Sequence, residues 1–285
     1  MEKLKVAIQK SGRLSDKSLE MFAKAGINIS NGSRLLFAES GNFPVEILFL
    51  RDDDIPQYVE DGVADVGIVG ENVLIEKKNP LQIIERLGFA KCRISLAVPR
   101  DARYNGLEWF LQKKIATSYP VILQKFLDEK AIQAEIHVIS GSVEICPGIG
   151  LADAIFDIVS TGSTLISNGL TEVEKVLNSE AVLISGSKLS AAKQHILEQL
   201  VFRIKAIKKA ESNKYILLNA PKSNIDKIIQ AIPGMKSPTI VPLADPDWVS
   251  VHSVVEESKF WEIIYELKQA GAQGILVVPI EKMII

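Results

Sequence analysis

Asp153-Ala154-Ile155-Phe156-Asp157-Ile158-Val159-Ser160-Thr161-Gly162-Ser163-Thr164-Leu165 is the stretch from which the architecture is read. Ala154 to Val159 has the apolar content of a buried strand, with Asp153 just before it and Asp157 within it. Four small residues follow, three with hydroxyls and one glycine, and helix-like sequence resumes at about Thr164. Backbone N–H groups of such a turn, with the positive end of a following helix, form a nest for a phosphate. The carboxylates upstream repel phosphate but accept hydrogen bonds from sugar hydroxyls. Together they predict a ribose-5-phosphate site. The plain alternative is a strand ending in a hydroxyl-capped turn. Against it, Asp157 lies inside an apolar pattern, where an unpartnered charge costs several kcal/mol.

Strand–helix alternation extends in both directions and predicts an α/β sheet protein. Upstream, Leu4 to Ile8 reads as a strand, Ser15 to Ala25 as a helix stopped by Gly26, and Arg34 to Ala38 and Val45 to Leu50 as strands. A helix follows, capped by Asp54, with Pro56 in its first turn and Gly62 at its end; then come a strand from Ala64 to Val69 and a helix from Gly70-Glu71. A second α/β unit begins near Cys92, with strands at Ile94 to Val98, Lys114 to Ala116 and Ile136 to Ile139, and a helix from Pro120 to about Asp128. Beyond the opening stretch lie strands at Glu172 to Val176 and Ala181 to Ile184, then a long helix from about Ser190 to Ala210. From about Asn213 the order becomes βαββαβ, the ferredoxin-like pattern. Domain boundaries are expected at 1–91 with 178–211, at 92–177, and at 212–285.

Composition narrows the function. The 285 residues are 47% hydrophobic and 24% charged, with a formal charge of −2, an ordinary globular balance without the basic field of non-specific nucleic-acid binding. Cys92 and Cys146 make neither a CxxC nor a disulfide framework. Met1-Glu2-Lys3 leads into a strand rather than a signal peptide, and no apolar run approaches the roughly 20 residues that span a bilayer. A cytoplasmic location is expected.

Several chemistries are absent. No GxxxxGK[ST] loop occurs, and Gly148-Ile149-Gly150 meets Asp153 where a dinucleotide fingerprint needs glycine. His137, His195 and His252 are too scattered for metal spacing, and no GxSxG supports a nucleophile. Arg13, Arg34 and Arg51, each near a predicted strand end, suggest a polyanion, since α/β sheets bind ligands at such ends.

Gln9-Lys10-Ser11-Gly12-Arg13-Leu14, Arg51-Asp52-Asp53-Asp54-Ile55-Pro56, Gly67-Ile68-Val69-Gly70-Glu71-Asn72-Val73-Leu74, Asp153 to Leu165, and Pro238-Thr239-Ile240-Val241-Pro242-Leu243-Ala244 stand in this order along the chain. Taken together the blocks resemble the long form of ATP phosphoribosyltransferase over the full length. The resemblance implies two periplasmic-binding-protein-like domains with a cleft between them, plus a C-terminal ACT-like domain that binds histidine as feedback inhibitor. It implies transfer of phosphoribose from phosphoribosyl pyrophosphate to adenine N1 of ATP, the first step of histidine biosynthesis, with Mg²⁺ as cofactor and dimers and hexamers as assemblies.

On these residues, Thr161, Gly162, Ser163, Thr164 and Leu165 would cradle the 5-phosphate, Asp153 and Asp157 would face the ribose hydroxyls, and Glu144 would face the sugar or the metal. Which aspartate touches the ribose stays open, because residues four apart share a strand face but stand about 13 Å apart. Arg13, Arg34 and Arg51 would neutralise pyrophosphate and triphosphate. Lys10, Gly12, Arg13, Gly70 and Glu71 would meet ATP; Asn219, Thr239 and Gly271 are the histidine-site candidates. Mg²⁺ would be held mainly by substrate phosphates. The rival reading from another class is a small-molecule sensor of binding-protein fold that closes on its ligand without turnover. A second rival is a phosphoribosyltransferase acting on another base.

Overall fold

The computed structural model describes residues 2–30, 36–186, 189–232 and 234–285. Arg34, and with it the predicted beginning of the second strand, lies outside the described residues. The chain divides into two compact units, Met1–Leu197 and Glu198–Ile285.

The first unit begins with β1 (Leu4–Gln9), α1 (Arg13–Lys24), β2 (Phe37–Glu39), β3 (Val45–Leu50), α2 (Ile55–Glu60), β4 (Val66–Gly70), α3 (Glu71–Glu76) and β5 (Gln82–Arg86). It continues with β6 (Cys92–Pro99), β7 (Lys114–Thr117), α4 (Pro120–Glu129), β8 (Glu135–Val138), β9 (Ala154–Val159), α5 (Ser163–Ser167), β10 (Leu170–Ser179) and β11 (Ala181–Ser185). α6 (Ala191–Glu211) follows.

These strands build two sheets, β2-β3-β1-β4-β11-β5 and β10-β6-β9-β7-β8. Each is the heart of one α/β lobe, and the pair has the periplasmic-binding-protein-like architecture. In the first sheet β1 runs parallel to β3 and β4; in the second β7 runs parallel to β8 and β9. The chain passes to the second lobe after β5 and returns at β11, which pairs with β4 and β5. β10 runs to Ser179, so 178 and 179 pair with Arg93 and Cys92 in the second sheet.

Both sheets are buried on two faces, which explains the near-continuous apolar runs in β1, β4, β6 and β11. Gly67 is needed where α2 crosses β4, since a Cβ there would stand 2.6 Å from the Ile55 side chain. The second lobe packs Leu96, Phe156, Ile115 and Leu123 around Phe110. Two local expectations change. Asp54 makes no side-chain cap, because Asp52–Asp54 already form a 3₁₀ turn that runs into α2. β5, a short edge strand with only partial burial, carries too weak an apolar signal to be read from sequence.

The second unit contains β12 (Asn213–Pro221), α7 (Ile225–Ala231), β13 (Thr239–Pro242), β14 (Trp248–Glu256), α8 (Phe260–Gln269) and β15 (Gln273–Pro279). Its sheet order is β13-β14-β12-β15, antiparallel throughout, the ferredoxin-like arrangement. Ile216, Leu218 and Val251 meet Ile228 of α7 and Leu267 of α8 in its core. Among the described residues no helix is long and apolar enough to cross a membrane.

Candidate active site

Parallel α/β sheets gather loops at the carboxyl ends of their strands, where backbone groups and helix N-termini are free to meet ligands. Most of the predicted site residues stand at such ends. Lys10, Gly12 and Arg13 follow β1, Arg51 follows β3, and Gly70 and Glu71 join β4 to α3. In the second lobe Tyr119 follows β7, Glu144 lies in the 3₁₀ turn Val143–Ile145 after β8, and Ser160 to Ser163 follow β9.

A cavity of about 260 Å³ gathers part of this set: Arg13, Glu144, Asp157, the Thr161–Leu165 turn and Cys92. Arg13 starts α1 in the first lobe, and the other lining residues belong to the second. Gly12 introduces it with φ of +94°, a conformation that strains residues with a Cβ.

The turn after β9 has the shape the sequence suggested. Gly162 caps α5 at φ +84°, and Thr161 Oγ1 lies 3.0 Å from Ser163 Oγ. The N–H groups of Thr161, Gly162 and Thr164 have no acceptor among the described residues. Beneath the turn, Arg93 donates to the Ser160 carbonyl at 3.0 Å and forks onto Glu172. Ser95 Oγ donates to the same carboxylate at 2.7 Å. This brace joins three neighbouring strands and was not legible in sequence, because its members lie up to 79 residues apart.

Asp157 is half-buried, and its Oδ1 accepts only the Ile158 N–H, at 2.7 Å, among the described residues. Burial, reinforced by Glu144, pushes its pKa up to about 6 against the opposing hydrogen bond from Ile158. Asp52 is pushed up to about 6 as well, by burial and by the adjacent Asp53. Its Oδ1 is buried without a hydrogen-bond partner among the described residues. Burial and the charges of Asp157, Asp52 and Cys92 raise the Tyr119 hydroxyl, while the Asn72 hydrogen bond opposes them. Thus Asp52 of the first lobe and Asp157 of the second both act on Tyr119. The sequence reading missed Asp52 and Tyr119; the three successive aspartates after β3 were the available signal.

Asp153, Glu71, Gly70, Arg51 and Lys10 stand outside this cavity. Asp153 accepts the Lys114 N–H at 2.9 Å and Lys113 Nζ at 3.3 Å at the opposite end of β9, and lines a different surface hollow beside Trp109. Glu71 is held by both guanidinium prongs of Arg86, so its carboxylate serves an ion pair beside β4. Gly70 precedes it with no room for a Cβ, which would fall 2.4 Å from Asn72 Oδ1. Arg51 and Lys10 are exposed near one another's strands, the Lys10 N–H bonding to the Leu50 carbonyl at 2.8 Å; neither lines the cavity.

In the second unit, Asn219 and Thr239 pair across β14 with Ser250 and His252. Ser250 and His252 alternate onto one face of the sheet, so their partners share it. Tyr215 Oη and Ser250 Oγ contact the two His252 ring nitrogens at 2.8 and 3.2 Å. Gly271 is instead the left-handed residue that ends α8, at φ +87°. No group of three or more His, Cys, Asp or Glu side chains poised for a metal occurs among the described residues.

The family model described as ATP phosphoribosyltransferase matches residues 51–206, and the one described as HisG, C-terminal domain, matches 210–282. A protein named ATP phosphoribosyltransferase from Parabacteroides distasonis is 61% identical, covering 99% of this chain and all of that one. Its namesake from Bacteroides thetaiotaomicron is 59% identical with the same coverage. Among solved structures, the ATP phosphoribosyl transferase (HisG:HisZ) complex from Thermotoga maritima is 29% identical, with a TM-score of 0.61 over 71% of this chain and 96% of that chain. Tv2483 bound to L-arginine shares the fold at 13% identity, with a TM-score of 0.52 over 73% of this chain and 86% of that one.

Proposed function

The chain belongs to the ATP phosphoribosyltransferase family, and from this premise we propose that it transfers phosphoribose from phosphoribosyl pyrophosphate to adenine N1 of ATP, releasing pyrophosphate. The reading rests above all on one observation: a single cavity holds a free-N–H turn, a half-buried aspartate and an arginine from the facing lobe.

The turn Thr161–Leu165 binds the 5-phosphate through the N–H groups of Thr161, Gly162 and Thr164 and the hydroxyls around them. Asp157 accepts the ribose hydroxyls, and its negative charge favours the cationic centre that develops as pyrophosphate leaves. Arg13 meets phosphate oxygens from the opposite wall, where its fork suits them. Arg51 and Lys10, exposed at neighbouring strand ends, extend the positive edge towards the rest of the polyphosphates. Adenine N1 brings its own lone pair, so the residues act by positioning and electrostatics rather than by proton abstraction. Mg²⁺ would be held mainly by the substrate phosphates, whose charge it would neutralise, and the carboxylates of Glu144 and Asp157 in the same cavity would complete its oxygen shell, since Mg²⁺ usually takes one or two carboxylates beside phosphates.

Histidine feedback is proposed for the open sheet face of the second unit that carries Asn219 and Thr239, with dimers and hexamers as assemblies and the cytoplasm as the setting. Replacing Asn219 by Ala should raise the inhibitory histidine concentration about tenfold, the loss of one or two good hydrogen bonds, while initial rates without histidine stay unchanged; an unaltered inhibition curve removes this face from the model.

Incubation with ATP, phosphoribosyl pyrophosphate and Mg²⁺, with and without histidine, tests the whole reading. An ultraviolet change that requires both substrates and is suppressed by histidine supports it. Ligand binding with no turnover would favour a sensor of the same fold, and turnover with another base in place of ATP would reassign the acceptor.

A further inference from the structure

Helix α4 lacks a cap of its own. Its N-cap residue, Tyr119, makes no side-chain capping bond, and Pro120 in the first position has no N–H to offer. The next two N–H groups, of Val121 and Ile122, donate at 2.8 and 3.0 Å to the two carboxylate oxygens of Glu76. Glu76 is the last residue of α3 and belongs to the first lobe, 45 residues from Val121. The negative charge also faces the positive end of the helix. One turn earlier on α3, buried Asn72 donates to the Tyr119 hydroxyl at 3.2 Å. Asn72 is fixed in turn by Ser179, which donates to its Oδ1 at 2.8 Å and accepts its backbone N–H at 3.1 Å.

We propose that Glu76 and Asn72 form a latch between the lobes: α3 of the first caps α4 of the second and holds Tyr119, keeping the two carboxyl edges facing one another. Both are positioning residues. The latch rests on the function proposed above. Arg13 and the turn after β9 already line one cavity in the latched arrangement, so the latch maintains the geometry that substrates need. Without it, substrates bind only the fraction of molecules in that geometry, and apparent affinity falls by the same fraction.

The test uses Glu76→Ala and Glu76→Gln in the full chain. In Glu76→Ala, amide exchange at Val121 and Ile122 should accelerate by about tenfold or more, since both N–H groups lose their acceptor. KM for phosphoribosyl pyrophosphate and ATP should rise about 5- to 20-fold with kcat within about threefold, the signature of lost uniform binding. Glu76→Gln keeps one oxygen acceptor and should restore KM to within about threefold of wild type. Unchanged exchange overturns the proposal, as does faster exchange with unchanged KM, which would make Glu76 a stabilising cap alone. Should wild type show no turnover, the proposed function fails, while exchange together with calorimetric binding of phosphoribosyl pyrophosphate still judges the latch.

Discussion

The two ends of β9 carry the same side chain in opposite circumstances. At the beginning, Asp153 is satisfied by Lys114 N–H and Lys113 Nζ, in a hollow it shares with Trp109 and Lys114. At the far end Asp157 is half-buried, has no ion pair among the described residues, and is pushed up to about 6 by burial and the charge of Glu144. The difference is direction. Parallel strands deliver their crossover loops and helix N-termini to the carboxyl edge, so ligand-binding groups accumulate there, while the opposite edge is closed by structural pairing. A carboxylate held partly desolvated without a cation raises the energy of the free protein, and a substrate that supplies hydrogen-bond donors relieves it.

Substitutions can break that contrast. The largest effect is expected at Asp157: Asp157→Asn should lower kcat/KM for phosphoribosyl pyrophosphate about 10²- to 10³-fold, as for loss of one transition-state electrostatic contact. Asp153→Asn should stay within about threefold of wild type; steady-state kinetics on both variants would reverse the assignment if the losses were exchanged. Gly162→Val should come next, raising the same KM about tenfold or more, because a Cβ strains the φ of +84° and displaces the N–H groups proposed to bind phosphate.

Asp153→Ala should instead cost about 1–2 kcal/mol of stability in denaturant unfolding by leaving the Lys114 N–H without its acceptor. The smallest effect concerns pH. Asp157 has a folded pKa above its unfolded one, so the folded state binds the proton more tightly and stability falls as pH rises between about 4 and about 6. Asp157→Asn should flatten part of that slope in thermal scans, whereas Asp153→Asn should leave it. Activity runs the other way, since ribose binding needs the ionised form: kcat/KM of wild type should decline as pH drops through about 6.

Much of this was legible from residues alone. β9 and β3 begin and end where the apolar runs do, at Ala154–Val159 and Val45–Leu50, because a largely buried strand leaves an apolar signature that a single carboxylate, Asp157 or Glu46, does not erase. The turn at Thr161–Gly162 was readable because hydroxyls and glycine act on their own backbone. The ion pair of Glu71 is not legible for the converse reason: its partner Arg86 comes from β5, 15 residues on, and a carboxylate at a helix start looks the same whether it meets a ligand or an arginine. Tyr119 reads from sequence only as a residue leading into a helix, because its hydrogen-bond partner Asn72 lies 47 residues away.

The sequence by itself determined most of the succession of strands, turns and helices, the βαββαβ end of the chain and the glycine turn after β9, because propensity, periodicity and turn chemistry act between residues close in the chain. Only the tertiary structure decided which end of β9 faces a cavity, that Arg13 of the first lobe shares it with Thr161 of the second, and that α4 is capped by Glu76 rather than by its own sequence. Those outcomes depend on burial and hydrogen bonds between segments brought together by sheet order, and no local pattern encodes which partner arrives.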